Sequence, residues 1–251
     1  MIDEKTVLAI VPARAGSKGL QNKNVRLFCG QPLLTWPLQA LKKTPEVDTI
    51  LLSTDSEKYR QIGLSLGVQA PFLRPASLST DAATSVDVLL HAISYYESIG
   101  KVYDYVVMLE PTSPLTESFD VSKGLKTIND KSGNVDAIVG VGQVLDQHPN
   151  FLLEIGTDGL MKPFDGKEGF LAQRRQEISK LYFLDGSLYV SDITSLKNKK
   201  TFYHTRTFAM VMENYKNIEI DTEEDFIMAE ALASSKNVRK FKRTGGKDGK
   251  K

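Results

Sequence analysis

The chain has 251 residues, 41% apolar and 25% charged, with a formal net charge of +1, which is enough for a buried core in one α/β domain carrying an insertion. The near-zero charge excludes a general pull toward nucleic acid or anionic lipid, so no nucleic-acid or membrane partner is expected. A single cysteine (Cys29), no apolar run near the ~20 residues of a membrane span, and no secretory leader in Met1 to Thr6 together point to the cytoplasm.

Val7 to Val11 is a β-branched apolar run ending at Pro12 and reads as a buried strand feeding a loop. Leu33 to Lys43 has helical spacing, with Pro37 placing the start of the helix proper near it. Thr49 to Ser53 is a second strand, and Asp55 or Ser56 can cap the helix that follows to Leu66. Thr84 to Ile99 is helical, Tyr105 to Leu109 a strand halted by Pro111, Ser118 to Ile128 a helix, and Val135 to Val141 a strand. This alternation predicts a mostly parallel, Rossmann-like sheet with helices on both faces. Ligands then sit outside the carboxyl ends of the strands, at the loops after Val11, Ser53, Leu109 and Val141.

The rhythm breaks at residues 143–183, where two Asp-Gly pairs and short apolar pieces suggest a hairpin-rich insertion. Strands resume at Ser187 to Val190, Phe208 to Met212 and Ile218 to Ile220. A last helix, Thr222 to Ala233, opens with three acids suited to its dipole. Residues 1–238 read as one domain and 239–251 as a basic, disordered tail.

The first loop, Pro12 to Asn24, holds two glycines and the cations Arg14, Lys18 and Lys23. Backbone N–H groups turned by glycine, plus fixed positive charge, are what a triphosphate requires. The spacing matches neither a Walker loop nor GxGxxG.

Pro-Ala-Arg-Ala-Gly-Ser-Lys-Gly at 12–19, then Lys23-Asn24 and Pro32-Leu33, resemble the CMP-sialate synthetases, the acylneuraminate cytidylyltransferases. Further landmarks follow in family order: Ser53-Thr54-Asp55, Leu73-Arg74-Pro75, Thr80-Asp81, Pro111 to Leu115, Asp185 to Tyr189, and Ile218 to Asp221. The resemblance runs from about residue 6 to about residue 230. It implies a nucleotide-diphospho-sugar transferase fold and a homodimer in which the inserted arm reaches the partner's site. It also implies transfer of CMP from CTP to the anomeric hydroxyl of a nonulosonic acid, with release of pyrophosphate. A nucleotidyltransferase for another sugar acid or a sugar phosphate, and a non-catalytic nucleotide-binding relative, are the rival readings.

By the same resemblance, Ala13, Arg14, Gly16, Ser17, Lys18 and Asn24 surround the nucleotide's phosphates and ribose, with Arg14 and Lys23 also catalytic. Arg74, Asp81 and Ser85 belong to the segment closing over ribose and base. Glu219 and Asp221, one residue apart on the expected strand, would face one side and share a divalent cation, Mg²⁺ or Mn²⁺. The proton of the attacking hydroxyl would go to Asp221 or to a metal-bound water. Gln173 and Arg175 match a family pair near the sugar, Arg175 being suited to a carboxylate.

The sugar side departs from the family pattern. Glu110 and Asp185 stand where members usually have amides, and Phe151 and Phe183 where some have cations. A more acidic and apolar pocket suggests a modified nonulosonic acid, with deoxy or acylamino groups on the aromatics or an amine facing Glu110 or Asp185. His148 reads as structural, Cys29 as an inert turn residue, and Trp36 and Tyr95-Tyr96 as helix packing.

Overall fold

A computed structural model describes residues 1–16, 19–145, 147–164 and 178–235. The first strand, β1 (Val7–Pro12), alternates its side chains between two cores. Val7, Ala9 and Val11 point to one face and Leu8 and Ile10 to the other, as the two-residue period of a strand dictates. After a single turn at 23–25, β2 (Leu27–Phe28) and β3 (Gln31–Pro32) form a small hairpin. Helix α1 (Thr35–Lys42) starts two residues before Pro37, which lies in the first turn, where its missing N–H leaves no bond unmade.

Next come β4 (Thr49–Ser53) and α2 (Glu57–Ser65), and Ser56 is the cap, accepting from the Tyr59 N–H at 3.4 Å. Asp55 is thereby left for the site. Helix α3 (Ser85–Ser98) is opened by a reciprocal Thr84–Asp87 capping box. Then follow β5 (Tyr105–Met108), α4 (Ser118–Asp130) and β6 (Ala137–Gln143). The inserted region contains the hairpin β7 (Leu153–Ile155) and β8 (Met161–Pro163), turning at Asp158-Gly159. The chain continues through β9 (Tyr182–Asp192), α5 (Ile193–Lys199), β10 (Thr207–Val211) and α6 (Glu223–Ser234).

The main sheet has the order β10-β6-β9-β5-β1-β4. Its pairs are parallel except those of β9, which runs antiparallel between β5 and β6. On one face Leu34 just before α1, Leu38 and Leu41 of α1, and Val121, Leu125 and Ile128 of α4 pack against the sheet. On the other face lie Leu89, Ala92, Ile93 and Tyr96 of α3 and Ile193 and Leu196 of α5. A third cluster joins Phe28, Leu33 and Leu115 to Ile220 and to Phe226 and Ala229 of α6.

One expected strand is absent. Ile218–Ile220 is irregular, since it makes one backbone bond, from the Ile220 N–H to the Thr112 carbonyl at 2.8 Å, and no ladder. The same-face argument for Glu219 and Asp221 therefore fails as a strand argument. No helix among the described residues is long and apolar enough to cross a membrane.

Candidate active site

The site forms where β1, β4 and β5 end. The Ala13 N–H donates to the Ser53 carbonyl at 2.9 Å, and the Ala15 N–H to Asp55 Oδ1 at 2.7 Å, so the first loop is tied to the end of β4. Gly16 has φ +80°, a conformation L side chains avoid. Gly19 is needed for a different reason, because a Cβ there would stand 2.8 Å from the Asp221 carbonyl oxygen. The loop thus lies directly against the segment that carries Asp221.

Lys23 is the hinge of this arrangement. Its side chain is 11% exposed, and Nζ donates to the Ile220 carbonyl at 2.7 Å and to Asp221 Oδ1 at 2.9 Å. Asn24, also buried, donates from Nδ2 to the Arg14 carbonyl at 3.0 Å. The Arg14 guanidinium pairs with Asp81 at 2.7 Å, which brings the Thr80–Ser85 stretch across the cleft from the loop.

Arg74 is 95% buried by its 5% exposure, with its N–H on the Thr54 carbonyl at 2.7 Å and Nε donating to Ser79 Oγ at 3.2 Å. Nη2 has no partner among the described residues. Burial pulls the guanidinium below its ordinary pKa, opposed by nearby Asp55. A buried cation with an unused donor suits an incoming anionic or carbonyl-rich ligand.

These residues line an open cleft of about 590 Å³, solvent at its mouth included, together with Ser85, Glu110 and Thr112. Ser85 donates to Glu110 Oε1 at 3.2 Å. Burial, then the charge of Glu219, holds the Glu110 carboxyl above the usual range. Glu219 is raised likewise, by burial first and then by Asp221, and its one hydrogen bond among the described residues is a long one from Thr112 Oγ1 at 3.5 Å. Gly186, at φ +68°, keeps space for it, since a Cβ there would lie 3.0 Å from the Glu219 carboxylate. Glu110, Glu219 and Asp221 thus converge on one region around Lys23, although the described residues include no set of three or more His, Cys, Asp or Glu arranged to hold a metal.

Residues 8–242 match the family described as cytidylyltransferase. The chain belongs to the cytidylyltransferase family. It is 33% identical over 222 residues to the N-acylneuraminate cytidylyltransferase of Streptococcus agalactiae serotype V, which covers 88% of this chain and 51% of that protein. The chain therefore spans about half the length of that relative. It is 28% identical to the CMP-N,N'-diacetyllegionaminic acid synthase of Legionella pneumophila, over 90% of this chain and 95% of that one. A solved structure of CMP:2-keto-3-deoxy-manno-octonic acid synthetase in complex with CTP superposes with a TM-score of 0.66 at 16% identity. That match covers 91% of this chain and 98% of the other, and it establishes the fold.

Against this cytidylyltransferase background the remaining expected residues divide clearly. Ser17, Lys18, Gln173, Arg175 and the basic tail lie outside the described residues. Asp185 does not reach the cleft. It is 2% exposed, its Oδ1 accepts from the Ser187 N–H at 3.0 Å and the Ser187 hydroxyl at 2.6 Å, and its Oδ2 has no partner among the described residues. In this structure the carboxyl lies inward against Gly140, where an added Cβ would stand 2.8 Å from Oδ1. Burial holds its pKa above the usual range.

His148 is structural, with Nδ1 accepting the Asn150 N–H at 3.2 Å and Nε2 3.0 Å from the Ser179 carbonyl. Trp36 packs edge-on to Phe28, and Tyr95 and Tyr96 pack among Phe72 and Tyr103. Cys29 sits in a turn at φ 48°.

A second cavity, about 480 Å³ on the same measure, shares Ser85 and Glu110 with the cleft and is walled by Val86, Met108, Tyr189, Phe202 and Tyr203. Sequence reasoning did not find the wall at 202–203. An aromatic pair after a short helix carries no spacing signal, and only β9, laid beside β5, brings Tyr189 next to it.

Proposed function

We propose that this chain transfers CMP from CTP to the anomeric hydroxyl of a sialic-acid-like nonulosonic acid and releases pyrophosphate. The observation that carries this reading is Lys23, buried between the phosphate loop and Asp221 at the floor of a cleft that also presents Arg14, Asn24 and Arg74. Cations fixed on rigid elements neutralise charge on the phosphates without reorganising during reaction. Arg14 and Lys23 orient and neutralise the phosphate chain, and Arg74 offers its unused donor to the nucleotide. Positioning the hydroxyl in line with the α-phosphorus accounts for much of the remaining rate enhancement.

Glu219 and Asp221 suit a hard divalent cation such as Mg²⁺ or Mn²⁺: both offer oxygen, and their mutual repulsion leaves Glu219 poorly satisfied. When bound, that ion would stabilise charge on the phosphates. Asp221 is the candidate to receive the hydroxyl proton. The aromatic cavity beside Glu110 fits the apolar part of an acylamino or deoxy substituent on the sugar.

The arm supports a homodimer. Ile155, Leu160, Met161 and Phe164 are each more than half exposed on or beside a two-stranded hairpin, which is marginal alone and gains stability when covered. Light scattering on the purified chain tests this, a monomer at all concentrations being the contrary result. A cytoplasmic site of action follows from the need for CTP.

The deciding experiment measures pyrophosphate release from CTP and Mg²⁺ with N-acetylneuraminate, legionaminate, pseudaminate or an eight-carbon ulosonate. Release with one nine-carbon acid, abolished in Asp221→Ala, is the expected outcome. N-acetylneuraminate as the best substrate would refute the modified-sugar part, and release with none of the nine-carbon acids would refute the whole.

A further inference from the structure

Lys216 is among the largest fully buried side chains, at 1% exposure, and it lies three residues before Glu219. Its Nζ donates to both oxygens of Asp120, at 2.9 and 2.7 Å, and pairs with Glu117 and Glu213 at 3.2 Å each. Burial alone would lower its pKa, but Asp120 more than offsets this and the ammonium stays charged. Asp120 also accepts the Glu117 N–H at 2.8 Å in the capping box that opens α4.

A buried ion cluster of this kind is a poor stabilising device, because desolvation consumes most of the Coulombic gain and apolar replacements are often neutral or better. What it supplies here is location. The segment from Asn217 to Asp221 is irregular, and its anchors among the described residues include Lys216 on α4, the Ile220 N–H on Thr112, Lys23 on the Ile220 carbonyl and Asp221, and the Asp221 N–H on Asp225 Oδ2. Glu117 ends the same loop that begins with Glu110 and Thr112. One ammonium therefore fixes both the loop that touches Glu219 and the segment that carries it.

We propose that Lys216 is a positioning residue, whose clamp on Asp120, Glu117 and Glu213 sets Glu219 and Asp221 for the divalent cation. The inference rests on the cation role proposed above for those two carboxylates. The double variant Lys216→Met/Asp120→Asn removes both fully buried members, and the carboxylates left without their cation, Glu117 and Glu213, keep access to solvent at 37% and 62% exposure.

Three quantities are read on the full chain: the thermal midpoint, CTP affinity without metal, and Mn²⁺ affinity with CTP bound, by water-proton relaxation. The expected result is a folded protein with CTP affinity unchanged and Mn²⁺ affinity weakened about 10-fold, as for other groups that orient metal ligands. A merely structural residue would lower the midpoint and leave the Mn²⁺ affinity of the folded fraction alone. Should the double variant not fold, Glu213→Gln, at the exposed edge of the cluster, decides by the same reading with a smaller loss. Wild-type Mn²⁺ affinity in the folded variant overturns the proposal. Asp221→Ala separates the two levels. If it too binds Mn²⁺ normally, the cation assignment itself is wrong and the proposal falls with it. If only Asp221→Ala weakens Mn²⁺, the assignment stands and Lys216 has no part in it.

Discussion

Replacing Lys23 by Met keeps the aliphatic stem and deletes the ammonium, which isolates what the charge does. Two bonds are lost, one to the Ile220 carbonyl and one to Asp221. The first is a charge-assisted bond to a buried acceptor, worth about 1.5–3 kcal/mol. The second joins a buried cation to a carboxylate whose side chain is 69% exposed and can rehydrate, so about 1 kcal/mol is an upper figure for it. The sum, about 1.5–4 kcal/mol, corresponds to a fall in thermal midpoint of roughly 3–16 °C for a chain of this size. Pyrophosphate release should fall by about 10²-fold or more, since a fixed donor aimed at developing charge is removed. Calorimetry and a coupled pyrophosphate assay on the same preparation give both numbers. A midpoint within about 2 °C of wild type would refute the idea that Lys23 holds the Ile220 carbonyl, because even the lower figure implies more.

Arg74→Ala should weaken CTP binding by roughly 10–100-fold, the worth of one charge-assisted hydrogen bond, and lower the midpoint through the lost Ser79 bond and packing; titration calorimetry on the folded variant reads the first. Asp185→Asn tests burial of an acid. A carboxyl whose folded pKa is raised contributes stability that is full below the unfolded value and is lost as pH rises through the folded value. The midpoint of Asp185→Asn relative to wild type should therefore increase as pH rises from about 4, the unfolded aspartate value, through the raised folded value, and a difference that does not vary with pH would count against a buried, ionising Asp185.

Much of the architecture was legible because strands and helices with one or two buried faces repeat at fixed periods. The run Val7 to Val11 and the face Leu89, Ala92 and Ile93 are such cases, and Ser56, one of the two caps expected before the second helix, is the cap it has. The direction of β9 was not legible, because alternation says nothing of which way a strand runs between its neighbours. Ile218 to Ile220 misled for a related reason: two isoleucines around a polar residue have strand periodicity, yet a buried lysine and a single backbone bond hold them irregular. In the site, the glycines and cations of the first loop, to which phosphate binding is assigned under the proposed function, were readable from the sequence. Lys216 was not, since a lysine in a polar turn looks like a solvated one until three carboxylates are seen around it.

The reversed strand has a consequence for how the chain can vary. Gln143, at the end of β6, pairs with Tyr182, at the start of β9, and the Val144 N–H meets the Leu181 carbonyl at 2.9 Å. The main sheet is thus left at Gln143 and rejoined at Tyr182 through one closed neck, and the described hairpin of β7 and β8 lies outside that sheet. The cost of closing such a loop rises only logarithmically with its length, so the arm can grow, shrink or change its outer surface while the nucleotide half keeps its register. On the roles proposed above, association geometry and acceptor preference could diversify there as a detachable module, apart from the residues proposed to hold the phosphates.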